Sequence, residues 1–371
     1  MRCSVNITIL IFGAHSLFAI IKYNVTDLGT LGGDNSYAYD VNNYGHVVGF
    51  TRYPTAAFLW EDIVMNDLGN LGGVYTNPSP KAINNLGQVV GNCSTQLGDT
   101  GKPFIWENGA ITELVNLHLA DGINISGQIV GGSLVWEEGM VTSLGSLGGA
   151  DTRGFDINDL GQVVGFSYTA EGKQHAFLWE NGVMTDLETL GESGITRAYA
   201  INNLSQVVGA SSYHAFIWEN GTITDLGTLG GNLLSGDEAR DINKAGQIVG
   251  SSQTTSGPHA FFWENGVMTD LNDLIGTDTG FILNRAYGIN DLGQIVGVGR
   301  VDLDGDSTYD ADHAFLLTPI SETITVTSPD GGEELFAGTV HEITWSSKER
   351  IECGTDYRNR FSNPAERRII H

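Results

Sequence analysis

Seven copies of one short motif run through the chain: an Asn, a turn, and a strand resembling Gly-Gln-Val-Val-Gly, as in Ile157-Asn158-Asp159-Leu160-Gly161-Gln162-Val163-Val164-Gly165. A repeat period constrains architecture before any single residue does, because each repeat buries its apolar face only against its neighbours. The motif asparagines are Asn42, Asn84, Asn124, Asn158, Asn202, Asn243 and Asn290, so successive separations are 42, 40, 34, 44, 41 and 47 residues. That is the length of a four-stranded propeller blade.

One unit can be followed from Arg153 to Leu190. The segment from Arg153 to Asn158 alternates and runs into an Asn-Asp-Leu-Gly turn, and Gly161 to Ser167 is a second, β-branched strand. After a variable loop come His175-Ala176-Phe177-Leu178-Trp179, a Glu180-Asn181-Gly182 turn and Val183 to Leu187. The Asn-Gly step suits the positive φ of a tight hairpin, so the unit reads as two hairpins and four strands. The second hairpin recurs at Trp60, Trp106, Trp136, Trp218 and Trp263. In the seventh unit it is broken, because His313-Ala314-Phe315-Leu316 runs into Leu317-Thr318-Pro319 with no Trp and no fourth strand. The missing piece stands at the other end, where Tyr23-Asn24-Val25-Thr26-Asp27-Leu28 is a fourth strand with no blade before it. The expected fold is therefore all-β: a seven-bladed β-propeller over residues 20–320, closed by the N-terminal strand completing the last blade. Closure removes the exposed edges that invite aggregation.

The formal charge is -26, with 18 Lys and Arg against 44 Asp and Glu. Such a chain is not drawn to phosphate backbones, so nucleic acid is excluded as a partner. Only 17% of residues are charged and 50 are Gly, the balance of a turn-rich β protein. Arg2 followed by the apolar run Val5 to Ala14 and the Ala14-His15-Ser16 triplet reads as a signal peptide over residues 1–19, with a buried first strand as the competing reading. No other segment could span a bilayer. Cys3 would leave with the signal, Cys93 falls in a variable loop and Cys353 in the tail, so no disulfide framework is expected.

In an up-down-up-down blade the 1–2 and 3–4 turns share one face of the disc, and the 2–3 loops and interblade links share the other. The segments of uneven length, such as Tyr168 to Gln174 and Arg300 to Asp312, all fall on the second face, the expected functional surface. Arg153, Arg197 and Arg285 precede their blade's Asn by five residues, and Lys81 and Arg240 by three. The even offset puts all five on one side of the innermost strand, as a candidate site for a carboxylate or sulfate. The alternative is that they pair with Asp156, Asp241 and Glu238 or stack on Tyr199 and Tyr287. Asp302, Asp304, Asp306, Asp310 and Asp312 resemble a calcium loop, with Gly305 misplaced and His313 where a bidentate Glu belongs, so calcium is a candidate ligand and no cofactor is required. His175, His214, His259 and His313 open the third strand of four blades, too far apart to share a metal. A hydrogen bond to the fourth-strand Asp186, Asp225 or Asp270 is expected instead.

The recurrent His-Ala-Phe-Leu-Trp-Glu-Asn-Gly, Thr-Asp-Leu-Gly-Thr-Leu-Gly-Gly and Ile-Asn-Asn-Leu-Gly-Gln-Val-Val-Gly elements, over about residues 23–318, resemble the HAF-repeat family of extracellular bacterial proteins. The resemblance implies a secreted or surface repeat protein without an established activity, and it carries over no catalytic residues. Units one to three depart from it, with Ala56-Ala57-Phe58, Lys102-Pro103-Phe104 and Ser133-Leu134-Val135 in place of His-Ala-Phe. Further on, Ile324 to Glu334 and Ile343-Thr344-Trp345-Ser346 resemble the opening of an immunoglobulin-like cell-wall module, giving a truncated fragment at 321–347 before a disordered tail at 348–371. The expected function is a non-enzymatic secreted or cell-surface module, a monomer that binds or scaffolds an extracellular polymer, such as carbohydrate, or a cell-surface protein. The rivals are a hydrolase or lyase using Asp156, Asp241 and His residues at the channel mouth, and a purely structural surface-layer repeat.

Overall fold

Each motif Asn folds its own turn. The Asn158 side-chain oxygen accepts the amides of Leu160 and Gln162 at 3.1 and 3.0 Å, and Gly161 takes the positive φ of 76° that the turn requires. The 3–4 turns use paired positive φ, 51° at Asn181 and 84° at Gly182, whose twist matches the flanking strands. In this computed structural model the described residues are 23–74, 76–94, 101–191, 195–231, 236–277, 279–303 and 309–320, with two further strands at Ile324–Ser328 and Thr344–Ser347.

The unit Lys22–Pro319 is a seven-bladed β-propeller of four-stranded antiparallel blades. Blade 1 takes strands Asn35–Val41, Val47–Arg52, Ala56–Glu61 and Val64–Asp67, and blades 2 to 6 repeat this order. Blade 3 is the smallest, with an innermost strand of Gly122–Ile123 alone. Blade 7 has three strands from the C-terminal side of the unit, Phe281–Ile289, Ile295–Val301 and Ala311–Pro319. Its fourth is Tyr23–Asp27, paired antiparallel from Tyr23 opposite Pro319 to Asp27 opposite Phe315. His313 Nδ1 lies 2.9 Å from Asp27 Oδ2, so the same pairing that joins third to fourth strands elsewhere bridges the two ends of the ring.

The third-strand Phe58, Phe104, Phe177, Phe216, Phe261 and Phe315 are fully buried and fill the space between blades. The Gly closing each second-strand motif makes room for them: a Cβ on Gly297 would lie 2.0 Å from the Arg285 carbonyl oxygen and 2.8 Å from the Phe315 ring. Cys93 is not in a loop. It sits fully buried on the second strand of blade 2, nine residues after the blade's Asn, where other blades carry Thr51, Ser167, Ser211 and Ser252. Those serines accept the amide of a Leu from the preceding Leu-Gly element, as Ser167 does from Leu147 at 3.0 Å, and the Cys93 thiol accepts from Leu71 in the same way. The variable stretch shortens because pairing runs on for several residues past the Gly.

Outside the propeller, Ile324–Ser328 and Thr344–Ser347 pair antiparallel. The rest of the segment 321–347 expected to resemble an immunoglobulin-like module, and the expected signal at 1–19 and tail at 348–371, lie outside the described residues.

Candidate functional site

The innermost strands line a channel, and three layers of side chains cross it. At the face bearing the short turns, each motif Asn donates from Nδ2 to the main-chain carbonyl of the next blade's Asn. The chain of bonds runs Asn42 to Asn84, Asn124, Asn158, Asn202, Asn243 and Asn290, and Asn290 closes it on Asn42 at 2.8 Å. A concavity of about 490 Å³ opens outside this ring, lined by residues such as Asn43, Asn85, Asp159, Asn203 and Asp291.

The middle layer holds Asp40, Asp156 and Asp241, each two residues before its Asn. One oxygen of Asp156 accepts the amide of Ile157 at 2.8 Å and the other the amide of Ile201 in the next blade at 2.9 Å. Asp40 does the same for Val41 and Ile83, and Asp241 for Ile242 and Ile289. A strand irregularity just before these residues turns the amides toward the channel. The carboxylates lie deep among protein atoms although the channel leaves each residue partly accessible. Burial pushes Asp40 and Asp156 up to about 6, and Asp241 well above the ordinary carboxylate range. Both oxygens of Asp156 and Asp241 are engaged by main chain, so the carboxylates that the rival hydrolase or lyase reading named as acid–base groups are joints between blades.

The third layer, toward the variable loops, receives the basic residues. Lys81 Nζ stands 4.8 Å from the centre of the Tyr39 ring, and burial lowers its pKa. Arg153 forms a two-point ion pair with Asp121, 3.0 and 3.2 Å, and lies over Phe155. Arg240 pairs with Glu238 and sits between Tyr199 and Tyr287, 4.4 and 6.0 Å from the ring centres. Tyr39 meets Tyr287 edge-on at 5.5 Å, and Phe155 meets Tyr199 at 5.7 Å. Three of the five cations thus hold a collar of aromatic rings, Arg240 through the Glu238 and tyrosine partners that the alternative reading named. The other two, Arg197 and Arg285, are exposed. Arg197 lies over Phe166 at 5.6 Å and its Nε donates to Gln174; Arg285 has no acidic partner among the described residues.

Two further cations belong to this layer and escaped the sequence reading. Arg52 and Arg300 each stand ten residues after their blade's Asn, at the loop end of the second strand, over Tyr37 at 5.5 Å and Tyr309 at 5.2 Å. Arg300 Nε is buried without a hydrogen-bond partner. The equal offset of ten was the available signal, hidden because Arg300 read as the start of a variable segment and Arg52 falls beyond the repeated motif.

The histidines fall where expected: His175 to Asp186 at 2.7 Å, His214 to Asp225 at 2.9 Å and His259 to Asp270 at 2.6 Å. In the acidic segment, Asp310 accepts the Leu303 amide at 2.8 Å and Asp312 accepts the Tyr37 hydroxyl at 3.2 Å. Asp302 flanks the same segment, and Asp304 and Asp306 lie outside the described residues. Among the described residues, no group of three or more His, Cys, Asp or Glu could hold a metal ion, and no helix is long and apolar enough to cross a membrane.

No protein-family model matches the chain, and none of the curated proteins matches it. Solved structures do. The virginiamycin B lyase of Staphylococcus aureus, solved in a catalytically inactive form with quinupristin, matches at a TM-score of 0.52 and 13% identity, covering 81% of this chain and 100% of that one. A streptogramin B lyase matches at a TM-score of 0.53 and 11% identity, over 81% of this chain and 98% of that one. The extracellular domain of a protein assigned to the hybrid two component systems of B. thetaiotaomicron matches at a TM-score of 0.53 and 10% identity, over 82% of this chain and 41% of that one. At such identities the likeness is one of fold, a β-propeller shared by lyases and by extracellular domains.

Proposed function

We propose that the protein is an exported, non-enzymatic β-propeller of the HAF-repeat kind that binds an acidic extracellular polymer, such as a uronate-bearing or sulfated carbohydrate, at the loop-side channel mouth. One observation carries this reading. Of the ten Lys and Arg between Tyr23 and Ile320, seven (Arg52, Lys81, Arg153, Arg197, Arg240, Arg285 and Arg300) stand on the loop-side halves of the two inner strands, and three (Lys102, Lys173 and Lys244) stand elsewhere. A chain of net charge -26 that gathers its cations beside aromatic rings presents planar guanidinium groups for carboxylate or sulfate and ring faces for sugar C–H groups. Lys81, Arg153 and Arg240, which form the collar, are half-buried, and Arg197, Arg285 and Arg52 are exposed.

Calorimetric titration with a soluble polyuronate and with a neutral glucan, each with and without calcium, tests the reading. The polyuronate is expected to bind, more weakly as salt rises, and Arg197→Ala/Arg285→Ala to weaken it at least about tenfold, the equivalent of about 1.4 kcal/mol. Equal binding of the neutral glucan, or an unaffected double variant, would refute the anion site. A calcium-dependent gain that Asp310→Asn/Asp312→Asn abolishes would support an ion in the Asp302 to Asp312 segment.

A further inference from the structure

The turn face carries a second surface that the loop-side reading does not use. The residue two after each motif Asn gives its amide to that Asn side chain, as Tyr44 does at 3.0 Å and Leu160 at 3.1 Å, so its backbone is satisfied and its side chain points away from the turn. A solvated turn tip calls for a polar or small residue there, and two blades have Ser126 and Ala245. The other five have Tyr44, Leu86, Leu160, Leu204 and Leu292, each between 62 and 73% exposed. All five hold the same place in their 1–2 turns, two residues beyond the asparagine ring, and Leu204 reaches the lining of the 490 Å³ concavity there, an arrangement that scattered surface apolar residues do not produce.

Around this circle lies a second one of opposite chemistry. Glu61, Glu107, Glu137, Glu180, Glu219 and Glu264 each follow the third-strand Trp at the start of a 3–4 turn. Gln88, Gln162, Gln206 and Gln247 from the adjoining 1–2 turns donate to four of them at 2.8 to 3.2 Å, which places both sets of turns on one face and holds the carboxylates in place. Among the described residues of these turns, Lys244 is the one Lys or Arg, and it pairs with Asp291 at 3.4 Å.

From this juxtaposition we propose that the turn face docks a cationic segment of another protein, one that carries aliphatic side chains for the apolar circle and Lys or Arg for the carboxylates around it. Charge selects this occupant. A second copy docked face to face would oppose two circles of glutamates, and an anionic lipid surface would be repelled in the same way. A cationic segment is steered to the face by the outer circle and held by burial of the inner one.

The test uses the full chain and fluorescence anisotropy with three labelled peptides: an amphipathic Lys/Leu peptide, a Lys/Ser peptide of equal charge, and a Glu/Leu peptide. The Lys/Leu peptide is expected to bind and the other two to bind at least about tenfold more weakly. The Leu86→Ser/Leu160→Ser/Leu204→Ser/Leu292→Ser variant, altered only at exposed positions, should melt as the wild type does and lose at least about tenfold in Lys/Leu affinity. A second variant, Arg197→Ala/Arg285→Ala, should bind the peptide normally, which separates this face from the loop-side site. The proposal is overturned by equal binding of the Lys/Ser peptide, by no binding of any peptide, by an unaffected quadruple variant, or by sedimentation showing a wild-type dimer that the quadruple variant dissolves.

Discussion

Single residues show where the repeat has drifted from its own logic. Five of the 3–4 turns place Gly second, whereas blade 1 has Asp62-Ile63 at φ 49° and 63°. A β-branched residue pays for left-handed backbone with steric strain of about 1–2 kcal/mol, and Ile63 is 86% exposed, so packing returns nothing. Ile63→Gly is expected to raise stability by about 1 kcal/mol, read from the denaturation midpoint at unchanged slope; a lower midpoint would show that the turn is not strained. At this scale the sequence was legible where both partners belong to one repeat. The His to Asp bonds were readable because strands three and four keep the same register in every blade that has both residues. The partners of Asp156 and Asp241 were not, since they are main-chain amides, one of them in the next blade and turned inward by a strand irregularity that leaves no mark in side-chain pattern.

At the scale of elements, blade 7 is the informative case. Its broken C-terminal copy and the orphan strand before blade 1 made the closure readable, and the pairing of Tyr23–Asp27 with Ala311–Pro319 realises it. Asp27→Ala removes the partner of His313, and Asp186→Ala removes the partner of His175 inside a blade that is continuous in sequence. Each is expected to cost about 1–2 kcal/mol. They should differ in where amide exchange accelerates: over Tyr23–Asp27 and Ala311–Pro319 for Asp27→Ala, and only locally for Asp186→Ala. Identical exchange maps would mean that the joint is no weaker than a continuous blade. Loop assignments were less legible, because Cys93 and Arg300 stand on strands that outlast their motif, and motif length says nothing about how far pairing continues.

Over the whole molecule, the three channel carboxylates join blades in couples: 1 with 2, 4 with 5, and 6 with 7. Blade 3 is left over, as one must be in a ring of seven. Because Asp40 and Asp156 have folded pKa values of about 6 against the 3.8 of a free carboxyl, the folded state holds more protons than the unfolded one between about pH 4 and 6. Stability contributed by these groups is therefore full below pH 4 and falls as pH rises through 6, with a slope of at most about 1.4 kcal/mol per unit for each carboxylate. The melting temperature should rise as pH is lowered from 7.5 to 5, and Asp156→Asn should flatten that rise. An unchanged slope in the variant would assign the trend to the general acidity of the chain.

The asparagine circle bears on chain order as well as on folding. Asn290 reaches Asn42 by the same bond that every other blade makes to its successor, so nothing in the circle records which blade was translated first. A permuted gene that joined blade 7 into one continuous run and opened the ring at an interblade link would therefore encode the same circle.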